Sequence, residues 1–518
     1  MKRLITIAGL MLLTLSLMQA QTRYLDEVFT GVTRTTGVVY GNNITVILNP
    51  PAAQPLTMDV YEPTGDTSRN RPVVLVGTTG NFLPAILNGS PQGTIKDSSV
   101  VEICTRLAKR GYVAISFFYR QGWAASNPDQ SVQTATLLQA AYRGIQDART
   151  CVRYLRKSVA EGGNPHGINA EKIVIGGVGT GGYVSMGAAY LNTFDEILLP
   201  KFTNPTTGSP YVDSTFHGNI WGTNTATLNV PNHVGYSSSF NMAFNLGGAL
   251  GDSTWIQDGE MPCVGFHTPQ DPFAPYDIGI VIVPTTGNTV IDQAAGSLAV
   301  ARINNRFGNN QVFVDANISD AYTTAANALN NGYEGLFPFN RPFTPGTLAC
   351  VPGVNLAYVP EGSPWQWWNE AAFIATWDAA TGGVPFPGVV MNCREKAGNL
   401  DASATKGRTY IDSVMGYLAP RMYASLGINT TSVEDDLLAS SLSVYPNPAD
   451  QVVFVRVSTP ANPIRELRLM DATGRTVALR SQVNALESSI ETALLPAGIY
   501  LLEVTAEQGR STKKLIVN

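Results

Sequence analysis

Between residues 23 and 63 apolar and polar residues alternate, with turn signals at Gly41-Asn42 and Pro50-Pro51, which predicts antiparallel strands. The texture then changes. Residues 72–76, 112–118, 172–176 and 262–266 are short apolar runs without alternation, as expected of strands covered on both faces. Residues 100–110 have helical spacing between the first two. A long helix is predicted over 135–157, with an apolar stripe at Leu138, Ala141, Ile145, Ala148, Val152 and Leu155. The strand at 172–176 runs into a glycine-rich turn and a helix around 181–191. Strands alternating with helices in this way predict an α/β fold, a mostly parallel sheet with helices on both faces. Residues 211–255 are polar and rich in Gly and Asn and read as loops. Residues 307–368 read as a further insertion, helical around 321–329, and 410–426 as a closing helix. Beyond residue 441 seven short strands recur with turns, at 442–445, 452–457, 464–470, 476–479, 488–492, 498–504 and 511–517. They predict a small all-β sandwich.

Composition narrows the possibilities. The 518 residues are 44% hydrophobic and 14% charged, a globular balance. The net charge is -5 with no basic tract, so no nucleic-acid partner is expected. Lys2 and Arg3, the apolar run 5–18 and Ala20 have the form of a secretory signal peptide over residues 1–20. That run is too short for a permanent membrane span, and no second long apolar stretch follows. The expected organisation is therefore a signal peptide at 1–20, an α/β domain at 21–427, a linker at 428–440 and a C-terminal module at 441–518. Export permits disulfides. The five cysteines are an odd number, so at least one stays outside any internal pairing. Cys350 and Cys393 lie in loop-like sequence and are one candidate pair. Cys104 and Cys151, on two predicted helices, are another. Cys263 reads as a small core residue. No cluster of Cys and His has metal-site spacing, and no metal or cofactor is expected.

The C-terminal module carries three ordered motifs: Tyr445-Pro446-Asn447-Pro448-Ala449, Leu495-Pro496-Ala497-Gly498-Ile499-Tyr500, and Lys513-Lys514-Leu515-Ile516-Val517. In that order they resemble the type A sorting domain of type IX secretion in Bacteroidota. The resemblance implies the type IX machinery as partner, passage across the outer membrane, and a secreted or cell-surface location. The prolines are expected to stiffen the turn. Gly498 is expected to allow a tight approach before Tyr500 packs inward.

In the α/β domain the stretches 71–84, 107–120, 142–156, 172–182 and 262–276 resemble the α/β-hydrolase fold in its esterase-like branch, with the remaining sequence forming a loop-rich cap. That fold places its nucleophile on a Gly-x-Ser-x-Gly turn. Here the turn reads Gly177-Val178-Gly179-Thr180-Gly181, and the nucleophile position holds Gly179. The resemblance implies an oxyanion loop over 77–82, with Gly80, Asn81 and Thr180 at the pocket and Thr78 where a histidine usually begins the motif. It also implies the acid position at Asp271. The base should be a later histidine, yet His166, His217, His233 and His267 all precede Asp271. A nucleophile needs a base within reach, so the expectation is an esterase-like fold that has lost serine-hydrolase activity and binds a small molecule, surface ligand or partner. The missing serine side chain is expected to leave room at the elbow, and the amides there suit an anion. Two alternatives remain. One is an active secreted esterase or peptidase with rearranged residues, such as Thr180 or a His267–Asp271 dyad. The other is a surface structural or adhesive protein. Trp365, Trp367, Trp368, Phe337 and Phe339 are expected to pack the cap. Tyr119 and Arg120 either line the pocket or pair structurally, and Asp147 is expected to tie helix to loop.

Overall fold

The computed structural model describes residues 22–282, 287–428, 438–439, 441–460, 462–471, 475–507 and 509–518. The expected signal peptide and most of the expected linker lie outside the described residues. The chain divides into two compact units, one up to Gly427 and one from Ile428 onward.

The first unit is built on an eight-stranded sheet. Its strands are β1 (Val32–Thr45), β2 (Ala52–Pro63), β3 (Arg71–Gly77), β4 (Val113–Phe117), β5 (Ile168–Val178), β6 (Met242–Leu246), β7 (Cys263–His267) and β8 (Leu336–Pro338), in the order β1-β2-β4-β3-β5-β6-β7-β8. β1 and β2 pair antiparallel with each other, and β2 with β4. From β4 to β8 every pair is parallel. Every residue of β3, β4, β6 and β7 is buried, which explains their unbroken apolar sequence.

Strand order also decides where the helices go. The connection from β3 to β4 through α1 (Ser98–Lys109) runs one way along the sheet. The connection from β4 to β5 through α2 (Gln130–Ala160) runs the other way. Right-handed crossovers therefore put α1 and α2 on opposite faces. α3 (Thr180–Tyr190) packs beside α2, and the closing helix Ala404–Ser425 packs beside α1. This is the α/β-hydrolase fold, with the elbow between β5 and α3.

α2 is longer than its apolar stripe predicts because Asp129 caps it, accepting from the Ser131 amide. One of its faces holds the polar excursion that follows α3. Gln146 donates to the carbonyls of His217 and Asn219 at 2.9 and 2.8 Å. Arg149 reaches Ile220 at 2.7 Å, Arg153 reaches Trp221 at 2.8 Å and Asn232 at 3.0 Å, and Arg156 reaches Ser237 at 2.7 Å. The spacing 146, 149, 153, 156 puts these donors on one helical face, where they satisfy loop carbonyls that water cannot all reach. Asp147 points to Arg120 instead. The pair is fully buried at 2.9 Å, and Asp147 also accepts the Arg120 amide at 2.8 Å. Asp147 thus ties helix to strand end, and Arg120 is structural.

Several expectations need correction. Gly41-Asn42 is not a turn; it lies inside β1 next to a register shift at Val39/Gly41. β6 falls within the stretch read as loops, and β8 within the stretch read as an insertion. Helices at Ser297–Phe307, Glu370–Thr381 and Gly388–Ala397 were not anticipated. Cys350 and Cys393 form a disulfide. Cys104 and Cys151 are unpaired and buried, because the helices that carry them lie on opposite faces of the sheet. Cys263 is a buried free thiol. Among the described residues no helix is long and apolar enough to cross a membrane.

In the second unit a three-stranded sheet (Leu442–Tyr445, Val452–Val457, Glu487–Glu491) and a four-stranded sheet (Thr476–Ala485, Ile464–Met470, Gly498–Ala506, Arg510–Val517) enclose one core. Inward positions alternate along the strands, as at Leu467 and Leu469, Leu502 and Val504, Leu515 and Val517. The Tyr-Pro-Asn-Pro segment is clipped to the last strand by one side chain. Asn447 donates to the Lys514 carbonyl at 2.8 Å and accepts from the Ile516 amide at 2.9 Å. Tyr500 does pack inward and donates to Pro496. Gly498 makes no tight approach: a side chain there would meet only the Tyr500 ring, at 4.0 Å.

Candidate functional site

The elbow depends on close backbone contact. A Cβ on Gly177 would lie 2.2 Å from the Gly181 carbonyl carbon, and one on Gly181 would lie 2.4 Å from that of Gly77. Only glycine lets β3, β5 and the start of α3 meet this closely. Between them Gly179 adopts φ 54° and ψ -115°, a left-handed conformation that is strained for any other residue. Its amide donates to Leu246 on β6 at 2.8 Å.

The space expected beside Gly179 is not empty. A Cβ at this position would meet Thr79 Oγ1 at 2.2 Å and Thr79 Cβ at 2.9 Å. The side chain of Thr79, from the loop after β3, occupies the place of an elbow side chain. The same loop carries Gly80 at φ 116°, Asn81 at φ 54° and Phe82 at φ 56°. Gly80 packs on Gly93, where a Cβ would be 2.6 Å from the Gly93 Cα. The Asn81 carbonyl accepts from Trp123 Nε1 at 2.7 Å, and its side-chain amide donates to Asn88 at 2.8 Å. Among the described residues the backbone amides of Gly80, Asn81 and Thr180 have no protein acceptor. Thr78 turns its hydroxyl away to Asp97 at 2.7 Å. The Thr180 hydroxyl is 2.9 Å from the Tyr119 hydroxyl, which donates to the Thr78 carbonyl at 2.7 Å.

Asp271 lies in the loop after β7. Its Oδ1 accepts from the amides of Phe273 at 2.8 Å and Ala274 at 3.1 Å. Burial pushes its carboxyl up to about 6, against the pull of those two bonds. The late segment that reaches this carboxylate brings no histidine. It brings Gly362, where a Cβ would be 2.7 Å from the Asp271 carboxyl carbon. His267 is committed elsewhere: Nδ1 is 2.9 Å from Ser297 Oγ and Nε2 is 3.1 Å from the Ala274 carbonyl. Its approach to Asp271, at 3.9 Å, is not a hydrogen bond. Burial lowers its imidazole to about 4, so it is neutral where Asp271 ionises, and the contact is not an ion pair.

The elbow, the loop after β3 and Asp271 open on one cavity of about 670 Å³. Its apolar lining includes Leu137, Ile145, Leu191, Phe202, Trp255 and Ile291, and its polar lining includes Ser90, Gln92, Gln366 and Glu395. Of the expected aromatic group only Trp368 lines this cavity. Trp365 is fully buried, and Phe337 and Phe339 pack with Phe266 in the core. Trp367 lies under the Arg408 guanidinium. Tyr183, on α3, also lines the cavity, and its hydroxyl is buried without a partner. No group of His, Cys, Asp and Glu among the described residues is arranged to hold a metal. Reading the sequence missed Thr79, Tyr183 and Glu395. None sits in a motif, and their places become visible only once loop, helix and cap are packed together.

Residues 443–518 match the family model described as "Secretion system C-terminal sorting domain". The chain carries a secretion address. That domain directs it to the cell surface or the extracellular space. No curated protein matches the chain. Among solved structures it is similar to Thermogutta terrifontis esterase 2. The butyrate-bound form is 18% identical with a TM-score of 0.29, covering 49% of this chain and 78% of that one. The form phosphorylated by paraoxon is 19% identical with a TM-score of 0.28, covering 48% and 74%.

Two predictions follow from the packing and the charges. Gly179→Ser should lose about 1–3 kcal/mol in urea unfolding, through overpacking against Thr79 and backbone strain. Adding Thr79→Gly should restore the steric share; equal destabilisation in the double variant would contradict the placement of Thr79. For Asp271 the unfolded carboxyl titrates near 3.8 and the folded one near 6. The unfolded chain therefore ionises first as pH rises, and the native state loses stability between about pH 4 and 6, with no further loss above. Asp271→Asn keeps the acceptor for both amides and removes this loss. It should be more stable than the wild type at pH 8, by roughly 2–3 kcal/mol at most, and no different at pH 3.5. An unchanged pH dependence of unfolding would refute this.

Proposed function

We propose that the exported domain is a ligand-binding protein on an esterase-like fold that no longer performs serine hydrolysis. In this reading residues 1–20 are a signal peptide, Gly179 is the vacated nucleophile position, and Asp271 is what remains of the triad. The observation that carries the reading is the Thr79 side chain standing where an elbow side chain would stand. Glycine offers no attacking atom, and Thr79 obstructs its replacement. The second support is Gly362 against Asp271, where a base would have to sit. Loss of nucleophile and base removes several orders of magnitude in rate, leaving what oriented amides contribute. What persists is the capacity to hold a ligand: a large, mainly apolar cavity with a few directed polar groups.

The test is hydrolysis of p-nitrophenyl acetate and butyrate by the purified secreted protein. Rates at the buffer background are expected for the wild type and for Gly179→Ser. Turnover on the order of 10 per second, typical of enzymes, and lost in Asp271→Ala, would overturn the proposal in favour of rearranged catalytic residues.

A further inference from the structure

Two carboxyl groups line the cavity, Asp271 and Glu395, and among the described residues neither makes an ion pair with a lysine or arginine; Arg394, which also lines the cavity, favours the Glu395 carboxylate from farther away. Elsewhere in the domain several carboxylates are paired, as Glu370 is with Lys396, Glu361 with Arg341, and Asp147 with Arg120, whereas buried Asp97 is held by hydrogen bonds from Thr78, Gly93 and Thr94. Buried charges are normally paired, because desolvation otherwise drives them neutral. Burial has this effect here, pushing Glu395 up to about 7 and Asp271 up to about 6.

The surroundings of Glu395 are those of a binding group. It lies on the cap helix Gly388–Ala397, which the Cys350–Cys393 disulfide fastens to the hairpin Thr347–Val351 and Val354–Ala357. One carboxyl oxygen accepts from Ser90 Oγ at 2.9 Å; the other makes no hydrogen bond among the described residues. Trp368 is held by a hydrogen bond from Nε1 to Asn392 at 2.8 Å, one helical turn before Glu395, and its ring lines the same cavity. The neighbouring cations make no ion pair with Glu395. Lys396 is taken by Glu370, and Arg394, which also lines the cavity and favours the Glu395 carboxylate, has one guanidinium nitrogen 3.9 Å from the Met391 sulfur. The buried Tyr183 hydroxyl, which has no hydrogen-bond partner among the described residues, is a further polar group of the lining.

We infer that Glu395, with Trp368 beside it, receives the ammonium head of an organic cation whose apolar part lies against lining residues such as Leu137, Ile145 and Ile291. A carboxylate and an indole face together make an ammonium site through a charge-assisted hydrogen bond and a cation–π contact. This inference rests on the ligand-binding reading above and adds the class of ligand.

The test compares three probes with one arm and different heads, octylamine, octanoate and octanol, titrated calorimetrically into the full chain at pH 8. Octylamine should bind at least about tenfold more tightly than the other two, the scale of one hydrogen bond to a charged group. Glu395→Gln should abolish that preference and leave octanol binding unchanged. Octanoate binding best to the wild type, which needs no variant, would overturn the inference. So would an amine preference retained in Glu395→Gln, or lost in Asp271→Asn instead. Equal binding of all three would overturn the head-group assignment while leaving a ligand-binding cavity. Binding of none would overturn the ligand-binding reading and the inference with it.

Discussion

Three glycines hold the site in place. Gly177 and Gly181 let two neighbouring parallel strands and the start of a helix approach to a distance that a side chain at either would forbid, and Gly77, where a Cβ would sit 3.1 Å from the Gly181 Cα, lies against them. That contact fixes the sharp turn at Gly179, aims the first amides of the helix into the cavity, and brings the loop after β3 against the elbow. The rest of the site inherits its geometry from this packing, including the position of Thr79. The backbone turn of an elbow is therefore intact, with glycine at its tip.

Around that rigid centre the domain resolves its polar burdens in two different ways. On the α2 side buried cations face backbone carbonyls, and the one buried acid, Asp147, is matched to Arg120. On the cavity side two acids accept hydrogen bonds but make no ion pair with a lysine or arginine among the described residues, and burial holds their protons more tightly. The Asp147–Arg120 pair fastens helix to strand end, whereas Asp271 and Glu395 face an interior large enough for a ligand.

Much of the fold was legible in the sequence, because both-side burial leaves unbroken apolar runs and long helices keep a 3.6-residue stripe. β3, β4, β5, β7 and the helices between them were found on that basis. β6 was missed because Met-Ala-Phe-Asn-Leu is five residues inside a polar region. β8 was missed because it has only three. Gly41-Asn42 misled because the same pair that favours a turn also tolerates a bulge within a long strand. At the site, motif positions such as Gly179, Gly80 and Asp271 were legible because backbone geometry constrains them. Thr79 and Glu395 were not, since their meaning comes from which segments meet in space. The expected vacancy beside Gly179 failed for that reason: a missing side chain in the sequence was filled by a neighbour in the fold.

The central claim is that the elbow has a cavity but no nucleophile. It is tested most directly by incubating the purified protein with a fluorophosphonate and measuring its intact mass. The account predicts no covalent adduct, because neither Gly179 nor a base-activated substitute is present to attack phosphorus. A stoichiometric adduct mapped to Thr79, Thr180 or any other residue lining the cavity would contradict it.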